Sequence, residues 1–78
     1  MAPEVVLISH PSHIWPGARH LHVQATGRLL TICRDHLRDA AKRLLEEGFD
    51  PASSLVIRGA ADSVPELRSN SLTEAAKL

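Results

Sequence analysis

Residues 35–47 read DHLRDAAKRLLEE, and their apolar side chains recur with the period of an α-helix. On a helix these side chains share one side, which is the pattern of a helix that packs one face against a core. They are Leu37, Ala40, Ala41, Leu44 and Leu45. Asp35 can accept hydrogen bonds at the amino end, and Gly48 can adopt the left-handed conformation that ends a helix. The stretch predicts one central amphipathic helix over residues 35–47.

The segment before this helix, residues 20–33, has the pattern of a β-hairpin. Polar and apolar residues alternate strictly at its start, as in a strand with one buried face. A Thr-Gly dipeptide follows at 26–27, and glycine at the second position of a two-residue turn allows the positive φ that a tight hairpin requires. With such a turn, His20 would lie opposite Cys33.

Two apolar runs predict further strands on either side of the hairpin and the helix. Residues 5–8 (VVLI) are continuously apolar, as in a strand that lies at the centre of a sheet. A second run (LVI) predicts a strand over residues 54–58, after a turn at 50–51. Residues 9–19 contain two prolines and a glycine, so they are predicted to form a loop.

The C-terminal residues carry two capping boxes, Ser63 with Glu66 and Ser71 with Glu74. In this motif the serine and the glutamate satisfy the first free N–H groups of a helix. A short C-terminal helical segment, continuous or broken, is therefore expected. Together these elements predict an α+β fold, a single small domain over residues 1–78 with one sheet of three or four short strands.

The chain from residue 27 onward contains several motifs made of caps, turns and helix faces. They are Gly27-Arg28-Leu29-Leu30, residues 39–45 (DAAKRLL), Gly48, Asp50 with Pro51, Leu67 with Arg68, and Ala75-Ala76-Lys77-Leu78. In these motifs residues 27–78 resemble a group of short uncharacterised bacterial proteins with no established activity. The resemblance implies a compact cytosolic domain, and it assigns no catalytic residue.

The chain has no overall charge that would recruit an anionic partner. Nine Lys and Arg side chains balance nine Asp and Glu side chains, and the longest apolar run is too short to cross a bilayer. Composition therefore argues against a membrane protein and against a general affinity for nucleic acid. The chain has one cysteine, which excludes an internal disulfide, and no hydrophobic leader, so a reducing cytoplasm is the expected compartment.

The sequence lacks the usual motifs of catalysis. It contains no glycine-rich phosphate loop and no H-E-x-x-H pattern, and the adjacent Glu46 and Glu47 would be solvated at a helix end. Cys33 lies just before the helix and His36 near its start. A cysteine and a histidine are the residue types of one kind of nucleophilic pair. A lone cysteine in an apolar strand is more often a buried hydrophobe. We therefore expect no enzymatic activity and no cofactor.

His20, His22 and Cys33 form the alternative metal-binding set. The two histidines would share one face of a strand, and the predicted hairpin places Cys33 opposite His20. His10 or His13, in the preceding loop, would supply a fourth ligand. The histidine spacing matches no paired zinc-finger signature, so the expected interpretation is a solvated histidine face without a metal.

A ridge of cations on the central helix is the alternative nucleic-acid site. Arg34, Arg38 and Lys42 are four residues apart and would align. Acidic side chains outnumber cations on this helix, and the chain has one Trp, one Phe and no Tyr for base stacking. These charges are therefore expected to form a solvated face.

The remaining candidate is a protein-binding surface around Trp15. A large aromatic side chain in a rigid loop either covers a core or anchors an interface. The residues predicted to bind a protein partner are Ile14, Trp15, Arg19, His20 and His22, which are apolar at the centre and basic at the rim. By elimination, the predicted function is non-enzymatic binding of a protein partner, as an accessory or inhibitor protein of bacterial or phage type. An acidic partner or a second copy of the chain would complement this surface.

Overall fold

The computed structural model describes residues 3–59 and 65–78 of the chain, which form five β-strands and two α-helices. In chain order the elements are β1 (Glu4–Pro11), β2 (Arg19–Val23), β3 (Leu29–Cys33), α1 (His36–Glu46), β4 (Ser54–Gly59), β5 (Leu67–Ser69) and α2 (Leu72–Ala76). The α+β class predicted from the sequence is confirmed. The described sheet has five strands, however, where three or four were expected.

One mixed sheet holds all the described strands, in the order β3-β2-β1-β4-β5. Within it, β1 pairs with β2, β2 with β3 and β4 with β5 in antiparallel ladders, whereas β1 and β4 run parallel. A parallel pair requires a long connection, which β2, β3 and α1 provide. Among the described strands β1 therefore lies at the centre, and β3 and β5 form the edges.

The central strand β1 is longer than the predicted residues 5–8. It continues through Pro11, and His10 pairs with His20 of β2. The ladder between β1 and β4 ends at Ser9. Pro11, which has no N–H group, therefore does not interrupt it. The predicted loop therefore begins later than expected, and His10 belongs to the sheet.

The β2–β3 hairpin forms where the sequence predicts it, but its register is different. Cys33 lies opposite Arg19, and His20 lies opposite Ile32. Because side chains alternate between the faces of a strand, this shift puts Cys33 and His20 on opposite faces of the sheet. The predicted pairing of His20 with Cys33 is therefore wrong.

A longer connection causes the difference in register. Residues 24–28 join the two strands instead of a two-residue turn, and the Val23 N–H donates a 2.9 Å hydrogen bond to the Arg28 carbonyl. Gly27 supplies a positive φ of 70° within this connection. The ladder is also irregular next to His22, where β3 contains one extra residue. Such a bulge changes the register in a way that turn residues do not reveal.

Helix α1 agrees closely with its prediction. The Asp35 side chain accepts a 3.2 Å hydrogen bond from the Arg38 N–H, and Gly48 follows the helix with a φ of 89°. The five apolar residues of the predicted face all pack into the core: Ala40, Ala41 and Leu44 are buried, and Leu37 and Leu45 are partly buried. The face that the sequence assigns to the core is thus confirmed.

Both helices pack on one face of the sheet. The core on that face takes residues two apart from β1, β2 and β4, as expected for side chains that alternate along a strand, and the bulge in β3 sets its two core residues three apart. It comprises Val5, Leu7, Leu21, Val23, Leu30, Cys33, Leu55 and Ile57 from the sheet, with Ala40, Ala41, Leu44, Leu72 and Ala75 from the helices. Neither helix covers the opposite side of the described sheet, which we call the open face.

The C-terminal helical segment is α2, and Ser71 caps it. The Ser71 Oγ accepts a 3.1 Å hydrogen bond from the Glu74 N–H, which is the serine half of the predicted capping box. The other predicted box begins at Ser63, which lies outside the described residues, and its partner Glu66 precedes β5 without forming a helix. In the described part of the chain, no helix is long and apolar enough to cross a membrane.

Candidate partner-binding surface

The open face carries three histidines close together. His20 and His22 lie two residues apart on β2, and His10 of β1 lies directly opposite His20. The rings of His10 and His22 meet edge to face, with their centroids 5.2 Å apart. We call these three residues the histidine cluster.

Apolar side chains border the histidine cluster on both sides. From β1, Ile8 lies opposite His22, and from β3, Ile32 lies opposite His20 and Leu29 opposite His22. Ile8 and Ile32 are partly buried, whereas Leu29 is 46% exposed. The open face therefore combines imidazole rings with accessible apolar surface.

The loop between β1 and β2 is held in shape by Ser12. The Ser12 Oγ accepts hydrogen bonds from the N–H groups of Ile14 and Trp15, at 3.2 and 3.1 Å. A 3.0 Å bond from the Ser12 N–H to the Ala18 carbonyl closes the loop, and Gly17 turns the chain with a φ of 80°. Ile14 and Trp15 are 66% and 50% exposed, so a hydrogen-bonded backbone presents both side chains to solvent.

Trp15 borders the outer edge of β3. A depression of about 650 Å³ lies there, and its lining includes Trp15, Ala18, Leu29, Ile32, Arg34 and Asp39. Trp15 is 50% exposed, and it lines this depression together with the buried Ala18.

Strand β3 is an edge strand without charged side chains. Its residues are Leu29, Leu30, Thr31, Ile32 and Cys33. β2 pairs with one side of it, and no described strand pairs with the other. Proteins usually protect such an edge with charges, proline, bulges or a covering segment, because its free N–H and C=O groups can pair with another chain. The bulge twists β3, but neither charge nor proline interrupts it.

Arg19 belongs to a different surface from His20 and His22. It lies opposite Cys33, on the face that the helices cover. There its guanidinium donates one hydrogen bond to the Ser9 Oγ and another, of 3.2 Å, to the Ser9 carbonyl. The structure thus separates Arg19 from the other residues predicted to bind a partner, which lie in the loop and on the open face.

Arg19 instead borders a cavity at the carboxyl ends of β1 and β4. The cavity measures about 330 Å³, and its lining includes Ser9, Arg19, His36, Ile57, Gly59 and Leu67. Burial and the nearby charge of Arg19 lower the pKa of His36, so its imidazole is neutral at pH 7. Open α/β sheets often bind ligands at such strand ends. The guanidinium makes this cavity unfavourable for a cation.

Cys33 does not join His20 and His22, and its thiol is not activated. The side chain is 9% exposed and packs in the core, on the face away from the two histidines. Burial raises the pKa of the thiol to about 11, with a further contribution from the Asp39 charge, so the thiolate is scarce at neutral pH. The alternative metal set with Cys33 is therefore not assembled, and nucleophilic pairing with His36 has no support.

The cations of the predicted nucleic-acid ridge differ in their partners. Arg38 lies 3.4 Å from Asp35 and 3.6 Å from Asp39. Arg34 and Lys42 make no ion pair with a carboxylate of the described residues. The ridge therefore presents less net positive charge than its sequence suggests.

Three residues of this surface were not recognisable as such from the sequence. Leu29 and Ile32 were expected in a strand, but whether this strand is an edge depends on the order of the whole sheet. His10 was expected in a loop because of the neighbouring prolines. The period-two spacing of Val6, Ile8 and His10 was the available signal that β1 continues.

The chain has no match among protein-family models, curated proteins or solved structures. The resemblance of residues 27–78 to short bacterial proteins therefore stays a prediction. Function has to be inferred from the chemistry of the surface, because a fold by itself does not imply an activity.

Proposed function

We propose that this protein acts without catalysis, by binding an extended segment of a partner protein along the outer edge of β3. The observation that carries the proposal is the position of two exposed apolar side chains, Leu29 in the uncharged edge strand and Trp15 next to it. In this mode of recognition, main-chain hydrogen bonds supply affinity and side-chain contacts supply specificity. The proposed biological role is that of an accessory or inhibitor protein of bacterial or phage type.

The main chain of β3 supports this mode of binding. Its five residues span roughly 16 Å, the length of an ordinary strand. The outer N–H and C=O groups of β3 have no partner strand among the described residues. An incoming segment would satisfy these groups, just as β2 does on the other side.

The loop beside β3 supports recognition of apolar side chains. Tryptophan is enriched among the residues that dominate binding energies at protein interfaces. Because Ser12 already holds the backbone at Ile14 and Trp15, binding would order few additional torsions there. The loop therefore provides a preformed contact for a partner side chain.

The charges at the two ends of β3 favour a foreign segment over a second copy of the chain. Arg34 follows the strand and makes no ion pair with a described carboxylate, whereas Arg28 precedes it and is paired with Glu47. Antiparallel pairing of two β3 strands centred on Thr31 would bring Arg34 beside the other copy's Arg28, and such like charges repel. The proposed partner segment is apolar, with a carboxylate near Arg34.

Selection of random peptides against the full chain tests this proposal. The selected peptides are expected to carry apolar residues at alternate positions and to slow hydrogen exchange at the backbone amides of residues 29–33. Trp15→Ala and Leu29→Lys should each weaken the binding of a selected peptide about tenfold or more, since a central interface contact is worth on the order of 1–2 kcal/mol or more.

Leu67→Lys is the matched control, because Leu67 is 38% exposed on β5, the opposite edge of the sheet. This variant should bind the peptide as tightly as the wild type. Protection confined to β5, or an equal loss of affinity in Leu67→Lys, would contradict the proposal. Failure to select any peptide, together with nucleic-acid binding that Arg34→Glu and Lys42→Glu abolish, would replace it with the nucleic-acid alternative.

A further inference from the structure

The histidine cluster brings three imidazole side chains to neighbouring positions on one face of the sheet. His20 and His22 stand on the same face of β2, and His10 lies directly opposite His20 on β1. Residues two apart on a strand are separated by about 7 Å, and the Cβ atoms of directly opposite residues by about 5 Å. Bonds from imidazole nitrogen to zinc measure about 2.0–2.1 Å. Three side chains at these positions can therefore reach one ion without movement of the backbone.

Two ring nitrogens of the cluster lack hydrogen-bond partners. The Nε2 of His20 and the Nδ1 of His22 are both buried, and neither has a partner in the described part of the chain. Buried polar atoms are normally paired, so an unpaired one calls for an explanation such as a bound ion or water. A neutral imidazole nitrogen offers a lone pair that suits Zn²⁺, Cu²⁺ and Ni²⁺.

We propose that His10, His20 and His22 together bind one divalent transition-metal ion, with Zn²⁺ as the representative. As the side chains stand, the rings of His10 and His22 meet edge to face, and no three His, Cys, Asp or Glu residues among those described are placed to hold a metal ion. Binding therefore requires rotation of the imidazoles about their side-chain torsions, while the β1–β2 ladder keeps the backbone in place. His10 replaces the Cys33 of the set that the sequence suggested.

The surroundings suit such a site. Ile8 and Ile32 border the histidine cluster, so apolar side chains flank the three imidazoles. His10 is exposed, so a water molecule can occupy the fourth position of a tetrahedral zinc ion. Arg58, which lies opposite Ile8 on β4, is 2.9 Å from one Glu66 oxygen, and Arg68 is 3.3 Å from the other. Glu66 therefore compensates part of the Arg58 charge.

Titration of the untagged full chain with ZnCl₂ tests the proposal, with calorimetry and NMR of the histidine rings as readouts. The expected result is saturation at one Zn²⁺ per chain, with changes in the ring signals of His10, His20 and His22. The ring signals of His13 and His36 should stay unchanged. MgCl₂ should have no effect, because Mg²⁺ prefers oxygen ligands.

Single substitutions test whether Zn²⁺ binds the histidine cluster specifically or any histidine of the chain. His20→Gln and His22→Gln should each lower Zn²⁺ affinity about tenfold or more, since each removes one of three ligands. His13→Gln and His36→Gln are the matched controls and should keep wild-type affinity. Zn²⁺ should also raise the melting temperature of the wild type but not that of His20→Gln. Unfolding curves without zinc establish that each variant folds.

Zinc uptake without a defined stoichiometry would overturn the proposal. So would wild-type affinity in His10→Ala, or an equal loss of affinity in the two control variants. Peptide binding along β3 depends on Trp15 and Leu29 and is measured without metal. Failure of the metal proposal is therefore distinguishable from failure of the proposed function.

Discussion

Arg19 and Cys33 lie opposite each other in the β2–β3 ladder, on the face of the sheet that the helices cover. Directly opposite residues in an antiparallel pair have Cα atoms about 4.5–5.5 Å apart, within the range that a disulfide spans. His20 points to the other face. We therefore expect Arg19→Cys to form a disulfide with Cys33 under mild oxidation, and His20→Cys to remain reduced, as measured by mass spectrometry of digests prepared without reductant.

The two variants control for each other, because each adds one thiol to the same strand. A disulfide in His20→Cys and none in Arg19→Cys would establish the register of a two-residue turn at 26–27. It would also return Cys33 to the face of the histidine cluster.

The burial of Cys33 predicts a poorly reactive thiol. With a pKa of about 11, only about one thiol in a thousand is ionised at pH 8 in the folded chain. Alkylation by iodoacetamide should therefore be much slower in native protein than in protein unfolded by urea, as followed by intact mass. Equal rates under the two conditions would show that the thiol is accessible in the folded state.

Leu44 should be one of the most sensitive positions in the chain. Its side chain is fully buried between α1 and the sheet, so Leu44→Ala should lower the free energy of unfolding by about 2–5 kcal/mol. That is a large part of the stability of a small domain. Lys42→Ala, at an exposed position on the same helix, should change the free energy of unfolding by no more than about 0.5 kcal/mol. Equal urea midpoints for the two variants would show that the helix face is misassigned.

His36 should make the protein less stable in mild acid. Burial and Arg19 lower its pKa in the folded state, so the unfolded chain takes up more protons as the pH falls through the ordinary histidine value of about 6.5. Its contribution to stability is therefore lost between that pH and the lower folded pKa. His36→Gln should show a smaller loss of stability over this range, measured by urea unfolding at successive pH values.

An independent measurement follows the His36 ring directly. Its NMR signals should titrate at a pH below 6.5 in the folded chain and near 6.5 in urea. A folded-state titration at or above the unfolded value would contradict the role assigned to burial and Arg19.

The sequence by itself determined helix α1 and the side of it that faces the core. Its cap at Asp35, its apolar period and Gly48 all lie within a short segment, because helical hydrogen bonds join residues four apart. The Ser71 cap of α2 could be predicted for the same reason. Strands β2 and β4 were also recognisable, since alternation and apolar runs are local patterns.

Strand β5 could not be predicted from local sequence patterns. Its three residues, Leu67–Ser69, carry no strand signal of their own, and they become a strand because they pair with β4. The nearby capping box favoured a helix instead. The tertiary pairing with β4 overrides that weak local preference.

Only the tertiary structure decided which residues form the candidate surfaces. Pairing between different segments of the chain determines three features of these surfaces. It decides whether Cys33 faces His20, whether His10 joins the histidine cluster and whether β3 is an edge. A longer connection or a single bulge shifts that pairing by one residue, and a shift of one residue moves every side chain to the other face. Side-chain patterns identify strands, but the hydrogen-bonded register between strands determines which side chains meet.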